Sequence, residues 1–445
     1  AIVDIRYVQY QDLGRTTNAN LDRVTNHIGR YALHTHHVWG PVNPTNTGYQ
    51  FRVIGNAIAN SRKWPMTIHG SHYGLIQDNV VYNGTGAGIA TEDGSESYNE
   101  FIHNFVMAIQ GDASPRDTDG RDGSAFWFHG FNHTVRNNVA ADAIGTNHGI
   151  VSGSGYNFTW PPASEADTRI PLYRGADIAM GQEGREYQLV NMQFTPIREF
   201  LNNETYGATA TGLVIWMLGT SGYESNPGMA ETVIKDFTAW HVWEEAFYGY
   251  PINHVTFDGF IVRGSPRAFG TFDGGAAWNS GDYWAENVTI RNANIQGMQS
   301  GIGDSTNTPG TFTIENSYFR NLREGIYTHT LATPGTGASA EPRTFVVRNV
   351  RFDPWPGQPL QSIYRDWDTS RGNTNTQAQD FMKVYAYQGN PASNFQVYYR
   401  EQATQNVAGG RAPCTDTTTH PEIDGITCPL GPPPPPDTTP PSTPT

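Results

Sequence analysis

Lysine, cysteine and long apolar runs are all scarce in this 445-residue chain. Three lysines stand among 28 basic residues, and the formal net charge is −14. Such a negative field argues against nucleic acid or an anionic membrane surface as a partner. No apolar run approaches the roughly 18–20 residues needed to cross a bilayer, so no membrane span is expected. Cys414 and Cys428 lie fourteen residues apart without CxxC spacing. They read as one local disulfide rather than a thiolate metal site. Helical periodicity is weak, and 48 Gly and 29 Pro punctuate the chain. Aromatics are plentiful at 12%, which excludes disorder over most of the length.

A repeat is present instead. Short alternating segments end in Asn or Asp before a further apolar pair, at Asn56, Asn79, Asn104, Asn138, Asn191, Asp236, Asp258, Asn292, Asn316 and Asn349. Many intervals are 22–25 residues, with longer ones between. A short period with occasional insertions marks a solenoid whose turns bury their apolar faces on one another. Each turn accommodates three short strands and three bends, and Asn suits a bend because it tolerates the left-handed backbone region. The expected fold is all-β, a single-stranded parallel β-helix over residues 1–352 with an Asn ladder. Residues 353–411 read as a C-terminal cap or side-packed segment, 412–429 as a disulfide-closed loop, and 430–445 as a Pro/Thr-rich stiff linker. The first turn starts without a capping segment, so an N-terminal fragment, or further domains beyond the linker, are expected partners.

Four early turns align by their own register: RYALHTHHVWG, KWPMTIHGSHYG, GAGIATEDGSES and GSAFWFHGFNH. Leu33, Met66, Ile89 and Phe126 then point inward, as do Thr35, Ile68, Thr91 and Phe128. The outward positions between them carry His36, His69, Glu92 and His129 in one column, with His34 two residues before His36. Adjacent strands lie roughly 4.8 Å apart, so neighbouring rungs can share one ion. The expected ligands are His34, His36, His69 and Glu92, with His129 as an additional or supporting one. Imidazoles with a carboxylate suit Zn, Cu, Ni, Mn or Fe better than Ca. His37, His72, His103 and His133 read as ordinary surface or core residues. Calcium is conceivable as a separate structural ion in the Asp-rich loop from Gly111 to Gly123, although a solvated loop is the better reading. Trp39, Trp64, Trp127 and Tyr31 offer flat faces for sugar rings, and Arg62 local positive charge. Arg30 and Lys63 add to that charge beside the reacting groups, and Asp93 or Glu92 can move a proton.

The phrases GRYALHTHHVWG and MTIHGSHYGLIQDNVVYNGTGAGIATEDGSESYNEFIHNF resemble the β-helix of the cell-migration-inducing, hyaluronan-binding protein family and its transmembrane relative, over about residues 2–143. Where relatives tend to read WxTNP this chain reads FWFHGFN, which makes His129 its own addition. The resemblance implies a right-handed, pectate-lyase-like β-helix, an extracellular or secreted setting and a glycan substrate; members are described as cell-surface or secreted hyaluronidases. The leading expectation is an exported metal-dependent enzyme that cleaves a polysaccharide by hydrolysis or elimination. The alternatives are a non-catalytic glycan-binding or adhesive module with a structural metal, and a His-ligated redox metalloenzyme. The net charge would repel a polyanion unless Arg30, Arg62 and Lys63 focus a positive patch, which keeps neutral glycans in play.

Overall fold

The structure, a computed structural model, describes residues 3–14, 30–38, 48–111, 122–145, 152–159, 167–172, 186–221, 224–225, 228–264, 275–280, 285–304, 310–329, 344–366, 381–398, 414–415 and 420–431. These residues hold no α-helix, only the single 3-10 turns Met192–Phe194 and Tyr387–Gly389. One coil is typical. Met66–His69, Gly74–Gln77 and Val80–Thr85 run along a first, second and third face, and Ile89–Thr91, Glu100–Ile102 and Phe105–Gln110 repeat them one coil later. Each strand pairs in parallel with its counterpart in the next coil. The fold is a parallel β-helix.

Period-two alternation sends every second side chain inward, where identical positions stack. Leu33, Met66, Ile89 and Phe126 form one buried column in register, continued by Tyr156, Leu213, Phe247 and Trp278. Val53, Ile76, Phe101 and Val135 form another on the second face. Helical folding is unavailable to such segments because their apolar residues recur every two positions rather than every three or four.

The corner between the second and third faces takes two residues. The first adopts the left-handed region, as at Asp78 (φ 56), Asn137 (φ 58), Asp236 (φ 51) and Asn292 (φ 56). The second turns inward and is the true ladder: Asn56, Asn79, Asn104, Asn138 and Asn203, all buried. Asn104 donates from Nδ2 to the Ile76 carbonyl at 2.9 Å and to Asn138 Oδ1 at 3.0 Å. Its own Oδ1 accepts the Asn79 backbone N–H at 3.1 Å. The sequence phrase had merged these two adjacent columns. Asn191 belongs to neither: its side chain caps Met192–Phe194, and Asn203 supplies that rung. Asp258 closes a strand, and Gly259 (φ 80) takes the bend after it. Beyond Asn203 the inner corner is apolar or small, with Phe237 and Phe260 stacked at 6.0 Å.

Parallel pairing runs past residue 352: Gln361–Asp366 extends the first face and Phe381–Tyr385 the second. Two antiparallel strands, Phe395–Tyr398 and Ile426–Pro429, then cover the last edge. The cap therefore begins later than expected and includes part of the loop closed by the Cys414–Cys428 disulfide. Most of the linker, and most of the Asp-rich loop after Gly111, lie outside the described residues. At Glu245–Asp258 one 14-residue strand serves both the first and second faces.

Candidate metal centre

The site stands on the outward side of the first face. Leu33 pairs with Met66 and His36 with His69. Ile68 pairs with Thr91, so the next residue, Glu92, stands beside His69, and Phe128 opposite Thr91 places His129 beside Glu92. The expected column is real because both flanking inward positions are fixed by burial; a one-residue slip would turn every apolar side chain outward.

Two trios of donor atoms lie within 4.8 Å of one another: His34, His69 and Glu92, and His36, His37 and His69. His69 belongs to both. The His34 and His69 rings stack at 5.6 Å, and the His36 ring meets His69 at 4.5 Å and His34 at 5.3 Å. His69 Nδ1 lies 3.1 Å from Glu92 Oε2, and its Nε2 lies 3.0 Å from Asp93 Oδ2. Hydrogen bonds to Asp93 and then Glu92 push the His69 pKa up to about 10. Burial would raise Asp93, but His69 holds it below the usual carboxylate value.

Several expected roles change. His129 joins neither trio: it is buried, and its Nδ1 lies 2.8 Å from the Glu92 carbonyl oxygen. Tyr31, Trp64 and Trp127 are not open sugar platforms but a buried cluster, at 8%, 4% and 2% exposure. Tyr31 stacks on Trp64 at 5.1 Å and donates its hydroxyl to Glu92 Oε1 at 2.5 Å, so it orients that carboxylate. Lys63 is buried with Nζ 5.0 Å from the Trp64 ring centre, whereas Arg30 and Arg62 are exposed. Trp39 lies outside the described residues.

Two contributors went unread. Alternation along the strand sends His37 away from His36, yet its left-handed backbone (φ 49) swings the ring back to 4.4 Å from His36 and 5.3 Å from His69. Nothing in the sequence marks that bend. Glu96 accepts backbone N–H groups from Gly70 at 2.6 Å and Gly94 at 2.9 Å, which shapes the loop carrying Asp93. Burial and then the Asp93 charge push its pKa up to about 8. His72 and His133 are buried, and burial lowers each to about 3. His72 Nδ1 accepts the Ser97 N–H, a structural role as expected.

Mouse fibrocystin-L is 33% identical over 123 residues, which are 28% of this chain and 3% of that protein. Human fibrocystin-L is 31% identical over a stretch of the same length. The shared part is thus a small fraction of those relatives. Among solved structures, the catalytic domain of a GH87 alpha-1,3-glucanase in complex with nigerose matches 86% of this chain and 63% of its own, at 14% identity and a TM-score of 0.34. Tailspike protein 2 of Escherichia coli O157:H7 bacteriophage CAB120 matches 71% and 42%, at 11% identity and a TM-score of 0.30. The family model described as CEMIP beta-helix matches residues 12–213, well beyond the stretch where the motifs agree. Both imidazole trios lie within the segment that is similar to that family's β-helix.

Proposed function

We propose that the chain is an exported, metal-dependent enzyme that cleaves a polysaccharide on the first face of its β-helix. The observation that carries this is the convergence of His34, His36, His37, His69 and Glu92 on one outward face, with His69 common to both trios. Imidazole nitrogens with one carboxylate suit a divalent transition ion, Zn, Cu, Ni, Mn or Fe. The donor set fits such an ion: the donor atoms of each trio lie within 4.8 Å of one another, and His69 is common to both. His34, His69 and Glu92 would hold it, with His36 and His37 beside them. Bound there, the ion would supply Lewis acidity toward a glycosidic or water oxygen.

The chain's own residues do the rest. Asp93 grips one His69 nitrogen at 3.0 Å, which fixes the ring and leaves the other nitrogen toward Glu92. A ligating histidine is ordinarily held by a second carboxylate in this way. Tyr31 fixes Glu92 similarly. Asp93, half-exposed at the site's edge, is the group able to accept a proton from an approaching hydroxyl or from the carbon beside a uronate. Lys63 is occupied under Trp64 and the chain is acidic, so a neutral or sparsely charged glycan fits better than a dense polyanion. A disulfide accords with an oxidising, extracellular setting. No helix among the described residues is long and apolar enough to cross a membrane.

Elemental analysis of the purified protein, followed by a glycan panel with His69→Ala as control, tests the proposal. Stoichiometric metal and new reducing ends, or 4,5-unsaturated ends, lost together in the variant, are expected. Binding without products would instead make this an adhesive module, and oxidised ends a redox enzyme.

A further inference from the structure

The first face carries a second set of groups beyond the imidazoles. Its outward column continues from His129 to Thr159 in register, and Phe158 opposite Ile215 then brings Trp216 beside Thr159. Trp216 pairs with Tyr250, and Val214 with Tyr248. Trp216 and Tyr250 are half-buried with ring centres 4.7 Å apart, and Tyr248 lies beneath, nearly parallel to Tyr250 at 6.3 Å. Tyr248 is opposite Asn279, whose amide donates to Glu245 Oε1 at 3.0 Å. Burial pushes the Glu245 pKa up to about 7.

We infer that Trp216 and Tyr250, backed by the buried Tyr248 and flanked by Asn279, form a sugar-binding platform that holds a glycan chain extended along the solenoid axis from the imidazole cluster. This rests on the glycan reading of the face. Flat rings with polar edges suit the apolar face of a pyranose, while a partly exposed amide suits its hydroxyls. Three strand spacings separate Glu92 from Trp216 and four separate it from Tyr250, roughly 14 and 19 Å. The platform fits a glycan whose sugars follow the coils at about one strand spacing each. Four or five sugars therefore bridge the two places. The connections that leave this face next to the platform are long and carry the hairpins Asp167–Leu172 with Glu186–Asn191 and Thr220–Ser221 with Glu224–Ser225. The opposite corner of the coil is only two residues wide, so elaboration is concentrated where the chain would lie.

The experiment measures binding of neutral and uronate oligosaccharides of two to eight sugars to the full chain, with and without chelator, for wild type, Trp216→Ala and Tyr250→Ala. Wild-type affinity should rise with length up to about five sugars and then level off. Trp216→Ala or Tyr250→Ala should weaken binding of the longer ligands about tenfold. Disaccharide binding and metal content should be unchanged. Tyr250→Ala carries the test should Trp216→Ala fail to fold. Unaltered affinity in both folded variants overturns the platform even if the wild type cleaves glycans. Length-dependent binding lost in these variants sustains it even if no metal or cleavage is found. No binding of any glycan by the wild type overturns both readings.

Discussion

His69 is contested by two carboxylates, and its chemistry follows from that position. Without metal it is protonated in the folded chain up to about pH 10, whereas an unfolded histidine loses its proton near 6.5. The folded state thus binds the extra proton between those values. The stabilisation is fully present below about pH 6.5 and lost as pH rises toward 10. Thermal unfolding of chelated protein should show a midpoint that falls across this window, and the fall should be blunted in His69→Ala. A flat midpoint would mean that the two carboxylates do not hold the ring. Tyr31→Phe removes the hydroxyl on Glu92 while keeping the stack on Trp64, and metal affinity by competitive titration should drop 10- to 100-fold. Gly70 adopts φ +52, and a Cβ there would meet the His37 ring at 3.2 Å. Gly70→Ala should accordingly disturb the His36, His37 and His69 trio while leaving the apolar core intact, visible as altered metal affinity with an unchanged circular dichroism spectrum. The column of His36, His69 and Glu92 was legible in the sequence because burial of the flanking residues sets strand register. The roles of His37 and Tyr31 were not legible, since one depends on a backbone sign and the other on aromatic rings packing together against the outward side of the sheet.

Among the elements, the inner corner divides the solenoid into two kinds of coil. From Asn56 to Asn203 each amide satisfies backbone groups of its neighbours that water cannot reach. Asn104→Ala would strand the Asn79 N–H and the Ile76 carbonyl. A loss of about 2–4 kcal/mol is expected by denaturant unfolding. The exposed Asn292 holds a left-handed bend and donates to Asp258 Oδ1 at 2.6 Å where water can replace it, so Asn292→Ala should cost about 1–2 kcal/mol. Equal losses at the two positions would show that the buried amides carry no special burden. The repeat period revealed the coils, but one Asn looks like another in sequence. Which of two adjacent residues turns inward is decided by the backbone at the bend, and that is why Asn191 was enrolled and Asn203 overlooked.

For the molecule as a whole, each coil touches only its neighbours, so damage at one end stays local. The disulfide closes a loop of fourteen residues around the antiparallel cap. Reducing it should lower the stability of the C-terminal coils by about 3 kcal/mol while the imidazole coils keep their protection. Hydrogen exchange with and without reductant would show this, and uniform loss along the rod would contradict it. The end of the parallel stack lay beyond the sequence estimate because Gln361–Asp366 and Phe381–Tyr385 keep the alternation but lose the Asn phrase that marked earlier coils. The strand Glu245–Asp258 has a wider consequence. It runs through the left-handed residue His254 without leaving the ladder, so two walls that elsewhere meet at a separate bend share one uninterrupted ribbon. It acts as a rivet across the shaft: under limited proteolysis or pulling, fracture should fall to either side of it, leaving the imidazole-bearing and cap-bearing blocks as separable pieces.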